Sequence, residues 1–144
     1  MSEVSEMERT LVLIKPDAVS SKHIGDIIKH YEAAGFKISA MKLMQMTKEI
    51  AAKHYAEHIG KPFYNDLVEF MTSSPLVAMV LTGENVIAKV REVNGATNPA
   101  NAADGTIRKL YANSVTKNAV HASDSVENAK REIAIFFSEI EIIN

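Results

Sequence analysis

Apolar and polar positions follow two different periods along this chain, and the periods predict its elements. After a short polar lead, Thr10-Leu11-Val12-Leu13-Ile14 is an apolar run of strand length. Lys15-Pro16-Asp17 ends it, because proline cannot donate to a ladder. Ile24, Ile27, Ile28 and Tyr31 recur at helical spacing, with Ser20 or Ser21 available as cap and Gly35 as stop. Residues 36–46 alternate as a second strand. Thr47 can cap a helix reaching His58, with Ile50, Ala51 and Tyr55 on one stripe. Gly60-Lys61-Pro62 breaks it, and residues 63–71 offer another short helix.

Leu76-Val77-Ala78-Met79-Val80-Leu81 is apolar on both faces and predicts a third strand. A helix follows from Glu84 to about Val93, with Val86, Ile87, Val90 and Val93 inward. Residues 94–118 then lack apolar periodicity and hold Gly95, Pro99 and Gly105. Long loops between firm elements are commonly functional. Residues 119–121 suit a short last strand, and a final helix over 125–137 turns Val126, Ala129, Ile133 and Phe137 inward. The order predicts an α/β sandwich, with helices on a small, mainly antiparallel sheet. No internal repeat or linker divides the chain, so residues 1–144 are expected to form a single domain.

Composition narrows the classes. The 144 residues are 47% hydrophobic and 24% charged, ordinary for a globular protein. A net charge of −2 argues against a chain built to neutralise a nucleic-acid backbone, so nucleic acid is not an expected partner. The absence of cysteine excludes disulfides, thiolate catalysis and cysteine-based zinc sites. No apolar run has the length of a membrane span, and MSEVSEMERT is neither a signal nor a basic transit peptide. A cytoplasmic protein without a membrane partner is the expectation.

Candidate chemistry concentrates in Asn118-Ala119-Val120-His121-Ala122-Ser123-Asp124-Ser125. A histidine with an ordinary pKa near 6.5 is largely neutral at pH 7, and a neutral imidazole is a nucleophile without a base. Its small neighbours leave room for a bulky electrophile, although a surface turn would look the same. Asp124 and Ser125 read first as helix caps. Glu132, two helical turns beyond Ser125, could reach back toward His121. Only four of the sixteen basic residues are arginines, and Arg91 and Arg108 flank or enter the aperiodic stretch. Either they make surface ion pairs or their forked geometry holds phosphates. Lys15 at a strand end is a solvated lysine or a substrate contact, and Phe63 is core more readily than a stacking platform.

His54 and His58 stand at i, i+4, but a zinc-protease helix would need glutamate where Tyr55 is, so a solvated helix face is expected. His23 and His30 show no partner pattern. No Walker loop or G-x-G-x-x-G is present, so any phosphate must be held by side chains.

Seven ordered segments resemble the nucleoside diphosphate kinases over nearly the whole chain. They are Glu8-Arg9-Thr10, Ile14-Lys15-Pro16-Asp17-Ala18-Val19, Lys61-Pro62-Phe63, Asp66-Leu67-Val68-Glu69-Phe70-Met71, Gly95-Ala96-Thr97-Asn98-Pro99, Gly105-Thr106-Ile107-Arg108 and the histidine octapeptide. The resemblance implies a ferredoxin-like α/β fold. It implies ping-pong transfer of a γ-phosphoryl from a nucleoside triphosphate to a diphosphate through a phosphohistidine on His121, maintaining NTP and dNTP pools. By the same resemblance, Arg91, Thr97, Arg108 and Tyr55 hold phosphates, and Lys15 and Asn118 bond sugar hydroxyls, with Lys15 also near the transferring group. Phe63 stacks on the base in a slot lined by Leu67 and Val115, giving low base specificity, while Glu132 and Ser123 support the histidine. Mg²⁺ is the implied cofactor, carried on ATP or another nucleotide rather than in a protein cage. A homo-oligomer, tetramer or hexamer of bacterial type, is also implied, since the chain stops soon after Phe137.

Five departures stand out. Ala122 replaces a usual glycine, which would cost on the order of 1 kcal/mol at positive φ and add a methyl group near the nucleophile. Lys109-Leu110 replaces a small-acidic pair and is expected to add charge beside the phosphate site. Asn94, Ser74 and Tyr64 replace an apolar residue, a glycine and a phenylalanine. Ala122 motivates a competing reading, a nucleotide- or nucleic-acid-binding regulator that turns over slowly. A phosphohistidine carrier between proteins is a third, but it would have no use for Phe63, Arg91 or Arg108.

Overall fold

The computed structural model describes residues 7–143. The acidic lead over residues 1–6 therefore lies outside the described residues. The strands are β1 (Met7–Ile14), β2 (Lys37–Met44), β3 (Leu76–Glu84) and β4 (Val120–Ala122). The helices are α1 (Pro16–Ser20), α2 (Ile24–Ala33), α3 (Lys48–His54), α4 (Tyr64–Met71), α5 (Val86–Asn94), α6 (Ile107–Tyr111) and α7 (Val126–Phe136). The sheet runs β2-β3-β1-β4 with every neighbouring pair antiparallel. With α2 between β1 and β2 and α5 between β3 and β4, this is the ferredoxin-like arrangement.

Strand periodicity divides the core. Leu11 and Leu13 of β1 join Ala78 and Val80 of β3 in one cluster, covered by α3, α4 and α7. Val12 and Ile14 join Val77, Met79 and Leu81 in the other, covered by α2, α5 and α6. Continuous apolar runs in β1 and β3 follow, since both faces of these central strands are buried.

Several boundaries differ from the expectations above. Pro16 does more than end β1: with its fixed φ it takes the first turn of α1, where a missing N–H costs nothing. Ser20 therefore lies inside α1, and α2 begins after His23 without a side-chain cap. Glu84 is the last residue of β3, and Asn85 turns the chain into α5 at φ 54°. The aperiodic stretch holds α6, five residues long and too short for periodicity to show. Its start is marked by Thr106, whose hydroxyl accepts from the Lys109 amide. Val126 is 50% exposed, and α7 instead buries Phe136 beside the expected Phe137.

Candidate active site

β4 is an edge strand of three residues, and its alternation aims His121. Val120 and Ala122 join the cluster beneath α2, α5 and α6, so His121 points to the opposite face, toward α3 and α7. There its Nε2 lies 3.1 Å from Oε1 of Glu132, buried on α7. Ser123 Oγ donates to the same oxygen at 2.7 Å and accepts from the Leu11 amide at 3.1 Å. Burial pushes the Glu132 carboxyl up, but the bonds from His121 and Ser123 more than offset it, holding its pKa below the ordinary range. An ionised carboxylate can only accept, so Nε2 carries the ring proton and the lone pair is left on Nδ1.

A second imidazole stands beside it. His54, 4% exposed, meets His121 edge-on with ring centroids 4.9 Å apart, and Phe136 at 5.3 Å. Burial, and then the neighbouring His121, lower its pKa to about 3, so it stays neutral. The solvated face expected for His54 and His58 is thus wrong for His54. The reason is local: α3 stops at His54, and Tyr55 leads into a tighter turn over Ala56–His58, so the pair never shares one helix.

The cations come from the other face. Lys15 follows β1; its amide donates to Ala119 O at 2.8 Å and its Nζ to Asn118 Oδ1 at 2.8 Å. Asn118 Nδ2 in turn donates to Thr97 O at 3.2 Å. Burial, then the Arg108 guanidinium, lower Lys15 to about 8, with Asp17 opposing. Arg108 on α6 donates to Gly95 O and Val120 O, both at 2.8 Å. Gly95 must be glycine: its φ is +88°, and a Cβ there would lie 2.5 Å from Thr106 Oγ1. Ala119 is the centre of a three-residue turn at φ 76°, closed by the Val120 amide on Asn118 O at 2.9 Å. Asp17 Oδ2 holds it by accepting from the Ala119 amide at 3.1 Å.

These side chains open onto one cleft of about 330 Å³. It gathers Lys15, Tyr55, Leu67, Arg91, Thr97, Arg108, Val115, Asn118, His121 and Glu132 from the predicted set. Ser123 is fully buried behind Glu132. Phe63 is 48% exposed rather than core, and lies off the lining, its ring 5.3 Å from that of the lining His58. Sequence reasoning missed His54, Glu57, Asn128 and Arg131, which also line the cleft. The signal for Asn128 was available: Asn128 and Glu132 stand four residues apart, on one face of α7.

Three departures gain a physical account. Ala122 does not have positive φ; among the described non-glycine residues that conformation falls on Lys22, Asn85 and Ala119. The cost assigned to Ala122 is therefore absent. Lys109 is exposed and lies off the cleft lining, so it adds no charge there. Asn94 is buried because its Oδ1 accepts from Tyr31 OH at 2.6 Å. Nothing in the structure explains Ser74.

A family model described as nucleoside diphosphate kinase matches residues 8–142. The chain is 56% identical to a nucleoside diphosphate kinase of Nitratiruptor, over 95% of this chain and all of the relative. It is 54% identical to that of Persephonella marina, over 95% of this chain and 98% of the relative. It superposes on the nucleoside diphosphate kinase of Aquifex aeolicus with a TM-score of 0.93 and 43% identity, covering 96% of this chain and all of the other. A Halobacterium salinarum nucleoside diphosphate kinase, solved in complex with CDP, gives 0.92 and 43%, covering 96% and 93%.

Proposed function

The chain belongs to the nucleoside diphosphate kinase family and is a phosphotransferase, and from this premise we propose that the transferred phosphoryl group rests on Nδ1 of His121. One observation carries the reading: Nε2 stands 3.1 Å from the Glu132 carboxylate, which favours the ring proton there and leaves the Nδ1 lone pair for attack, beside a cleft that Lys15, Arg91 and Arg108 line.

The Nδ1 lone pair attacks the γ-phosphorus, and the bond to the β,γ-bridging oxygen breaks, releasing the diphosphate. The ring becomes cationic as the N–P bond forms, and Glu132 stabilises that charge while Nε2 keeps its proton. A second diphosphate then attacks the phosphorus through a terminal oxygen, and the N–P bond breaks. One site serving donor and acceptor in turn gives ping-pong kinetics. Arg91, Thr97, Arg108 and Tyr55 hold phosphates, and Lys15 and Asn118 bond sugar hydroxyls, with the Lys15 ammonium also close to the transferring group. Phe63 at the rim stacks on the base, with Leu67 and Val115 lining the slot. A π-face reads no base edges, so base specificity is low, as suits an enzyme that maintains NTP and dNTP pools. The CDP complex of the Halobacterium relative supports a diphosphate in this cleft.

Magnesium fits as a cation carried on the nucleotide. The metal-capable cluster among the described residues, His54, His121 and Glu132, is rich in nitrogen, not the oxygen cage of a resident magnesium. Bound to the phosphates it would neutralise charge that the three cations share. A homo-oligomer, tetramer or hexamer, working in the cytoplasm completes the reading. No helix among the described residues is long and apolar enough to cross a membrane. The slow-regulator alternative loses the strain half of its motive, because Ala122 has no positive φ, and keeps only the methyl group on the cleft lining.

Incubation with γ-labelled ATP and magnesium should label the protein through an acid-labile bond, and His121→Ala should abolish label and transfer. An unlabelled wild-type protein would defeat the proposal.

A further inference from the structure

His54 is a buried imidazole to which this mechanism gives no task. Among the described residues its Nδ1 has no hydrogen-bond partner, although the ring touches the nucleophile's ring. A buried polar atom without a partner is costly, and such atoms are few in folded proteins. His54, His121 and Glu132 each offer one ligand atom, and these atoms all lie within 4.8 Å of one another. His121 Nε2 and Glu132 Oε1 are already 3.1 Å apart. A tetrahedral site with bonds of about 2.0–2.1 Å has edges of about 3.3 Å. One pair therefore fits as it stands, and the most distant needs to close by at most roughly 1.5 Å, within reach of side-chain rotation.

We propose that His54, His121 and Glu132 form an inhibitory site for Zn²⁺ or a similar imidazole-seeking divalent cation, with water in the fourth position. Two imidazoles and one carboxylate are a known donor set for zinc, and nitrogen donors disfavour Mg²⁺. The bonding balances without electron transfer. The metal takes the Nε2 lone pair, and the proton Nε2 carried passes through solvent to Nδ1. The Nδ1 lone pair is thereby lost to attack, and Glu132 exchanges its bond with His121 for one with the metal. Lys15, Arg91 and Arg108 are not ligands, so nucleotide still enters. The inhibitory half rests on His121 being the nucleophile; metal binding does not.

The test titrates the intact protein with Zn²⁺ alone, by calorimetry and by competition with a chromophoric chelator. The expected result is one saturable site per chain, unaffected by excess Mg²⁺, weakened more than about tenfold in His54→Gln and retained in His58→Gln. X-ray absorption at the zinc edge of the loaded wild-type protein should show two imidazoles, and needs no variant to fold. Fewer than two imidazoles, or equal affinity in a folded His54→Gln, overturns the site and leaves His54 a packing residue. Zinc-loaded, desalted protein should accept little label from γ-labelled ATP, and a chelator should restore it. Full labelling with the two-imidazole site occupied overturns the inhibition and leaves the site standing. Failure of the metal-free protein to label is the separate failure of the nucleophile reading.

Discussion

Raising the pH from 7 to 9 should make nucleotide binding consume protons, and Lys15 is the reason. Its ammonium is buried at the end of β1, and burial first, then Arg108, bring its pKa from 10.5 to about 8. That fall penalises the charged form by about 3 kcal/mol. Phosphate groups in the cleft supply the opposite charge and restore the ammonium. Free Lys15 is then about nine-tenths protonated at pH 7, half at pH 8 and one-tenth at pH 9, so a bound diphosphate takes up roughly 0.1, 0.5 and 0.9 proton. Calorimetry at the three pH values, in two buffers of different ionisation heat, reads this uptake directly. Lys15→Arg should abolish it, since a guanidinium stays charged throughout. Uptake that stays flat, or becomes release, between pH 7 and 9 refutes the reasoning.

The same lysine makes a prediction of the opposite sense for stability. Its folded pKa lies below its unfolded one, so between pH 8 and 10.5 the folded state binds fewer protons. Below pH 8 both states are protonated and the penalty is full. The Lys15 contribution should therefore become more favourable as pH rises through that window, by up to about 3 kcal/mol. Urea unfolding of wild type against Lys15→Met at pH 7.5 and 10 reads the difference.

Three further predictions follow from the backbone and the buried bonds. Ser123→Ala leaves the Leu11 amide without its acceptor and takes a donor from Glu132, so it should cost about 1–3 kcal/mol; an unchanged Tm would count against that network. Ala119→Gly relieves a left-handed φ worth about 1–2 kcal/mol and incurs about 0.5–1 kcal/mol of chain entropy, for a net gain of about 0–1.5 kcal/mol on chemical denaturation. Ala122→Gly, by contrast, should lose about 0.5–1 kcal/mol with no faster labelling, because its backbone is not left-handed; a rate increase would restore the methyl group as an obstacle.

The strands were legible because β1 and β3 are buried on both faces, which leaves a continuous apolar run in the sequence. The short helices were not, because five residues in α1 and α6 do not complete two turns. Most of the cleft lining could be named in advance through motif resemblance, but not His54. Its approach to His121 depends on α3 ending where it does, and the i, i+4 spacing with His58 pointed to a helix face that does not form. The backbone of Ala122 was similarly hidden. A motif shows which residue is usual at a position, whereas the positive φ sits three residues earlier, at Ala119, whose amide Asp17 holds.

The two faces of the sheet contribute opposite charge to the cleft, and on the proposed mechanism that division lets one small site hold both a polyanion and a nucleophile. Arg91 and Arg108 come from α5 and α6 on one face, and Lys15 from the end of β1 between them. Glu57 comes from the turn after α3, Asp124 from just before the cap of α7, and Glu132 from the body of α7, on the other. His121 extends from β4 toward the acidic side, its Nε2 3.1 Å from Glu132, and on the proposed mechanism its Nδ1 is then free for a phosphorus held by the basic side. Were the acids and cations mixed, the carboxylates would repel the phosphates or the guanidiniums would draw Glu132 off His121. Arg131 is the exception that tests this, a cation on the acidic face 3.8 Å from Glu132. Its Nη1 donates to the Lys53 carbonyl at 3.1 Å and its side chain is 42% exposed, so water screens it and Glu132 stays committed to His121 and Ser123.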